Sequence, residues 1–145
     1  VLDGDWARRT VSAGAGFTAE ERVRHLLRIA WIARLLARNG VIVLCSFVSP
    51  YRGVRREVRE IVEEEAVFFE VYVRCGIEEA MRRDVKGLYA RALRGEMRHM
   101  TGIDDPYEEP EEPDLTLDTE EKGVHENVDE VLRLLERNGV RIRPN

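Results

Sequence analysis

Asn39-Gly40-Val41-Ile42-Val43-Leu44-Cys45-Ser46-Phe47-Val48-Ser49-Pro50 sets an apolar run between a helix stop and a serine-proline corner. A run without polar alternation is the pattern of a parallel strand covered on both faces. Val41–Phe47 is therefore expected as a central strand. Just upstream, Thr18-Ala19-Glu20-Glu21 matches a capping box and opens a helix. Its apolar positions Val23, Leu26, Leu27, Ala30, Ala33, Leu36 and Ala37 recur every three or four residues, and Asn39-Gly40 ends it. Downstream, the pattern predicts a charged amphipathic helix over about 52–64, a strand over 67–73, short helices over 78–83 and 88–93, a strand over 115–117 and a closing helix over 124–137. Val1-Leu2 reads as the tail of a first strand. Strands separated by helices imply right-handed crossovers and an α/β fold, a parallel sheet between helical layers. The expectation is one domain over residues 1–145.

Ligands in such sheets bind at the carboxyl ends of the strands. Three motifs fall there: Asp3 and Asp5, Ser49-Pro50, and Leu117-Asp118-Thr119. Residues two apart on an extended segment point the same way, so the carboxylates of Asp3 and Asp5 are expected to face one site. Paired carboxylates can orient a hydroxyl, take its proton or hold waters around Mg²⁺. Taken alone, Asp3-Gly4-Asp5 reads as a turn closing a strand. Ser49 is no hydrolytic nucleophile, because no His and Asp accompany it in a recognisable order.

Composition limits the alternatives. The formal net charge of -5 argues against broad nucleic-acid binding. No apolar run approaches the roughly 20 residues that span a bilayer, and Val1-Leu2-Asp3-Gly4-Asp5 has neither a basic region nor an apolar stretch. The expected compartment is the cytoplasm. Cys45 and Cys75 lack metal-ligand spacing and read as reduced core residues. The absence of glutamine and the abundance of glutamate and arginine suit a heat-adapted protein.

Among 23 basic residues only Lys86 and Lys122 are lysine. Where arginine is the default cation, a lysine is selective: its compact ammonium suits a phosphate or a transferring phosphoryl group. Lys86 lies in Arg83-Asp84-Val85-Lys86-Gly87-Leu88-Tyr89, a run with too little apolar periodicity for a core segment and the composition of a working loop. Gly95-Glu96 and Thr101-Gly102-Ile103-Asp104-Asp105-Pro106-Tyr107-Glu108 continue it, and an acidic, proline-spaced loop follows from Pro106 to Pro113.

The stretch from Arg83 to Thr119, with Leu2-Asp3-Gly4-Asp5 and Phe47-Val48-Ser49-Pro50-Tyr51-Arg52, resembles the adenylylsulfate kinases. These enzymes phosphorylate the ribose 3′-hydroxyl of adenosine 5′-phosphosulfate (APS) with Mg-ATP. The resemblance runs over nearly the whole chain and implies a P-loop-kinase fold, APS as substrate, ATP and Mg²⁺ as cofactors, and a homodimer as a compatible assembly. It places Asp3 and Asp5 beside the 3′-hydroxyl and the metal, and Lys86 by the transferred phosphoryl group. Arg8 and Arg22 match the arginines that hold the phosphosulfate. Phe17 matches the first of two aromatics that sandwich the adenine, while Met100 replaces the second with a thioether. Val48 and Ser49 match the backbone that lines the same pocket. His25 falls where most members have asparagine; it can still donate a hydrogen bond, and its protonation would add a pH dependence. Without the resemblance, a lone histidine on a charged helix reads as a surface residue.

The family's phosphate-binding pattern G-x-x-x-x-G-K-S/T is not found in the chain, and Gly14-Ala15-Gly16-Phe17 lacks its lysine and hydroxyl residue. The resemblance implies that the first strand and this loop belong mid-sheet, between the strands at Val41–Phe47 and Val67–Val73. Truncation, completion by another polypeptide and degeneration are the three explanations, and retention of the substrate motifs favours truncation. The 145 residues by themselves are then expected to lack the phosphate cradle, and kinase turnover with it.

Overall fold

A computed structural model describes residues 1–140, which pack as two compact units. The first comprises Val1–Phe68 with Arg98–Glu109, the second Phe69–Met97 with the chain from Pro110 onward.

In the first unit, β1 (Leu2–Asp3) pairs in parallel with β2 (Cys45–Ser46), and three helices follow the chain: α1 (Gly4–Arg9), α2 (Ala19–Ala37) and α3 (Arg52–Glu63). Leu2, Ala7, Ile29 and Ala33 form the buried core, with Ile32, Val43 and Phe47 packed against it. The predicted opening of α2 is present in full. Thr18 Oγ1 accepts from the Glu21 amide at 3.4 Å, and the Thr18 amide donates to Glu21 Oε2 at 3.1 Å. This fixes the phase of the helix and turns Arg22, His25, Leu26, Ile29, Ala30 and Ala33 inward. At its far end Arg34 reaches Glu64 at 2.6 Å and Glu65 at 3.0 Å, beyond the end of α3.

In the second unit, β3 (Val71–Arg74) pairs in parallel with β4 (Leu115–Asp118). The helices are α4 (Ile77–Arg83), α5 (Leu88–Leu93) and α6 (Val124–Arg137). Leu117 of β4 and Leu134 of α6 are buried. Asn127, also buried, donates through its amide to the carbonyls of Lys122 and Gly123 at 3.2 and 3.1 Å, which ties the start of α6 to the loop after β4.

The structure corrects the sequence expectation in four places. Val41–Phe47 is not a covered central strand: only Cys45 and Ser46 enter a ladder, and Val41, Ile42 and Leu44 are about half exposed. The register is Leu2↔Cys45 and Asp3↔Ser46, so the chain's turn into α1 after Asp3 ends the ladder at Ser46, and Val41–Val43 lie opposite positions ahead of Val1. The second run forms its ladder over Val71–Arg74 rather than Val67–Val73, with Val67 exposed. The described strands form two separate two-stranded ladders, one per unit, instead of a single sheet. Cys45 and Cys75 are both unbridged, as expected, but Cys45 is exposed and not a core residue.

Removal of the α2 cap tests how far this helix organises the first unit. Thr18→Ala is expected to cost about 1 kcal/mol, read as a lower urea midpoint with an unchanged m-value.

Candidate active site

The turn after β1 is decided by Asp3. Its Oδ1 accepts from the amides of Asp5 and Trp6, both at 3.0 Å, so Asp3 is the N-cap of α1. Asp5 lies in the first helical turn, where a carboxylate is favoured by the helix dipole. The extended geometry expected for this pair is therefore replaced by a strand-to-helix turn: Asp3 is half-buried and engaged with the backbone, Asp5 exposed. A helix so early was missed, although a short polar residue ahead of a charged, alanine-containing segment is the usual cap signal.

Arg8 and Arg22 converge on Phe17. The Arg8 guanidinium lies 4.2 Å from the ring centroid and that of Arg22 5.6 Å. Each also binds backbone carbonyls. Arg8 Nη1 donates to Ala15 O at 2.7 Å and Gly16 O at 2.8 Å. Arg22 Nε donates to Phe17 O at 2.9 Å, and Arg22 Nη2 to His99 O. Asp105 stands 4.0 Å from Arg22 Nε. Burial, then the charge of Arg22, lowers the Arg8 pKa, against a weaker opposing pull from Glu21. Because Phe17 O and His99 O share one guanidinium, the loops that carry Phe17 and Met100 are drawn together. The Met100 carbonyl in turn closes a tight turn by accepting from Ile103, Asp104 and Asp105.

His25 is buried on α2, not on the surface as expected for a lone helix histidine. Its ring meets Phe47 edge-on at 5.4 Å, and neither ring nitrogen has a hydrogen-bond partner. Burial, reinforced by the charges of Arg8 and Arg28, pushes its pKa down to about 4. The histidine is thus neutral near pH 7, and the pH dependence expected of it moves into the acid range.

Val48 is exposed, and Ser49 has φ 43°, in the left-handed region that non-glycine residues avoid. Pro50 behind it is fully buried. Two residues that sequence reasoning passed over hold this corner. Arg55, buried on α3, donates to Ser49 O and Glu108 O, both at 2.7 Å. Glu108 Oε2 accepts from the Arg52 amide at 2.7 Å, capping a helix whose N-cap Tyr51 makes no side-chain cap bond. The only sequence signal was the acidic loop itself, one arginine among 21 being unreadable.

All the sequence-predicted site residues except Lys86 fall in the first unit. Lys86 is exposed in the Asp84–Gly87 turn between α4 and α5. There Gly87 takes φ 64°, and Asp84 caps α5 by accepting from Tyr89 at 3.2 Å and Ala90 at 3.0 Å. At the carboxyl ends of β3 and β4, Arg74 binds Asp118, and Arg83 donates to Thr119 O at 2.7 Å. Arg74, then the amides of Glu120 and Glu121, hold the Asp118 carboxyl down at about 2. No group of three or more His, Cys, Asp or Glu among the described residues is arranged to hold a metal ion by itself.

Comparison with known proteins gives this constellation its setting. The family model for adenylylsulphate kinase matches residues 1–118. The chain belongs to the adenylylsulphate kinase family. It is 67% identical over 129 residues to the probable adenylyl-sulfate kinase of Aeropyrum pernix, covering 88% of this chain and 70% of that protein. It is 47% identical over 138 residues to the adenylyl-sulfate kinase of Halothermothrix orenii, covering 95% and 73%. Its structure matches that of the Mycobacterium tuberculosis APS kinase CysC in complex with AMPPNP and APS, with a TM-score of 0.90 and 40% identity over 93% of this chain and 78% of that one. The hexameric APS kinase from Thiobacillus denitrificans matches with a TM-score of 0.71 and 30% identity, over 98% of this chain and 23% of that one. The fold is accordingly the α/β P-loop-kinase type.

In this adenylylsulphate kinase, His25 links the site to acid stability. Its folded pKa lies below the ordinary value of 6.5, so the unfolded chain takes up a proton first as pH falls. The contribution of the neutral buried ring is whole above pH 6.5 and is lost as pH falls towards 4. His25→Asn should flatten that part of the stability profile. Urea titrations at pH 7, 5.5 and 4.5 check it; parallel profiles for the two proteins would refute the assignment.

Proposed function

We propose that this protein is an ATP-dependent adenylylsulfate kinase, moving the γ-phosphoryl group of ATP to the 3′-hydroxyl of APS to give 3′-phosphoadenylylsulfate. The observation that carries this reading is the stack of Arg8 and Arg22 on Phe17, in a chain so similar to adenylyl-sulfate kinases. It offers an aromatic face for a base beside two planar cations suited to an oxyanion. Arg22 has five N–H groups, and its bonds to Phe17 and His99 use two of them. We propose one kinase domain comprising both units, since the family match crosses the boundary between them.

The roles follow from this geometry. Arg8 and Arg22 hold the phosphosulfate, and Phe17 and Met100 flank the adenine. The Val48–Ser49 backbone and His25 line the same site, the neutral imidazole offering a donor or an acceptor. Asp3 is committed through Oδ1 to the α1 amides, so it positions Asp5, and Asp5 orients the 3′-hydroxyl and takes its proton. Lys86 neutralises charge on the transferred phosphoryl group, acting as a point charge with little covalent work. Mg²⁺ binds through one or two carboxylates plus substrate phosphates and waters; Asp5 and the second oxygen of Asp3 fit that mode, and the ion supplies charge neutralisation when bound. Assembly with further copies of the chain is proposed on the precedent of the hexameric relative.

Two measurements test the reading. AMP lacks the sulfate and should bind more weakly than APS by on the order of 2 kcal/mol, the scale of a lost charged contact; equal affinities by calorimetric titration would defeat it. Arg22→Ala should weaken APS by a similar amount and also lower the melting temperature, because the side chain is buried and tied to two loops. For Lys86, a form carrying a phosphate-binding loop ahead of Val1 is assayed by coupled ADP release. Lys86→Met should reduce turnover with little change in melting temperature, and Lys86→Arg should rescue poorly. Normal turnover with a large loss of stability would make Lys86 structural.

A further inference from the structure

Two non-glycine residues among those described have φ in the left-handed region beyond +20°, Ser49 at 43° and His99 at 61°. Two arginines among them are buried, Arg22 and Arg55. These observations coincide: Arg22 donates to the carbonyl of His99, and Arg55 to the carbonyl of Ser49. Each left-handed residue has its C=O fixed by a buried guanidinium.

We infer that Arg55 is a positioning residue for the substrate site, acting as a fork that holds Ser49 in its left-handed conformation. The inference rests on the proposed role of the Val48–Ser49 backbone. A left-handed conformation in a side-chain-bearing residue persists only where its surroundings over-determine it. Here one nitrogen of Arg55 takes Ser49 O, and the other takes Glu108 O at the same 2.7 Å. Glu108 returns the link, since its amide donates to Pro50 O at 2.8 Å and its carboxylate caps α3 at Arg52. Arg52 Nε adds a bond to Glu109 O at 2.6 Å, and Tyr107 lies 6.0 Å below the Arg55 guanidinium. The corner at 48–50 and the acidic segment at 107–109 are thus one clamped structure, with Arg55 at its centre. The planar fork with fixed donor spacing is what the task requires; a lysine offers one point of attachment and cannot hold both carbonyls in register.

The distinguishing substitution is at the residue being held. Glycine adopts positive φ without penalty, so it should make the clamp dispensable for the turn but not for the rest of the fold. Four proteins are compared: the full chain as it stands, Arg55→Ala, Ser49→Gly, and the double variant. APS affinity is read by calorimetry and amide exchange at Glu108 by NMR. Arg55→Ala should weaken APS roughly tenfold, the scale of one strained residue, and accelerate Glu108 exchange. Adding Ser49→Gly should restore most of the APS affinity while the lowered melting temperature persists. A purely structural arginine would show no such rescue, so a double variant that binds no better than Arg55→Ala overturns the inference, as does wild-type affinity in Arg55→Ala. Should Arg55→Ala fail to fold, Arg55→Lys with and without Ser49→Gly carries the same comparison. If the unmodified chain binds no APS, the proposed function falls, and Glu108 exchange decides Arg55 by itself: faster exchange in the variant supports the clamp, and unchanged exchange removes it.

Discussion

A guanidinium taken out of water must find acceptors, and the first unit meets that demand with backbone carbonyls. Arg8 binds those of Ala15 and Gly16, Arg22 those of Phe17 and His99, Arg55 those of Ser49 and Glu108. The dependence runs both ways. Loop carbonyls outside helices and strands need donors, and arginine supplies several from one rigid plane. Segments far apart in sequence, such as Phe17 with His99 and Ser49 with Glu108, are joined by these contacts, without help from any strand ladder. An arginine-rich, glutamine-free composition therefore has a structural use here, beyond surface ion pairs.

Every helix except the six-residue α1 was legible in the sequence, because helix signals are local. Thr18 and Glu21, the three-and-four spacing of α2, and Asn39-Gly40 each act within a turn or two of chain, and the structure follows them closely. Strands were legible only as apolar runs. Whether Val41–Phe47 becomes a ladder depends on what lies beside it, and in the register Leu2↔Cys45 the two residues of β1 pair with Cys45 and Ser46 alone. The same limit applies to Val67–Val73, whose paired part is set by where β4 begins and ends. Pairing is a property of two segments, and one segment cannot announce it.

The site shows the same division. The candidate residues came from the family resemblance, and all but Lys86 fall within the first unit. What each does there was less readable, because roles depend on hydrogen bonds made at a distance. Asp3 and Asp5 looked equivalent until the cap geometry separated a backbone-bound carboxylate from an exposed one. His25 looked exposed on a charged helix; the phase of α2 turns it inward against Phe47, where burial keeps it neutral. Arg55 left no trace as a single arginine among 21. Only its two carbonyl partners single it out.

These contacts bear on how such a site meets a doubly charged substrate group. A solvated arginine must lose rotamer freedom and hydration when it captures an anion, and both oppose binding. Arg8 and Arg22 have already lost much of that freedom to the carbonyls of Ala15, Gly16, Phe17 and His99, and both guanidinium groups lie over the Phe17 ring. Part of the ordering cost thus falls on folding, and less of it remains for the encounter with ligand. The arrangement also restricts what can bind: cations fixed in direction favour an anion at one place beside an aromatic face and do little for one placed elsewhere. Under the proposed function, selectivity for a nucleotide carrying a phosphosulfate would then arise from the rigidity of the loops, and the clamps at Ser49 and His99 would belong to the recognition chemistry as much as the side chains proposed to touch the ligand.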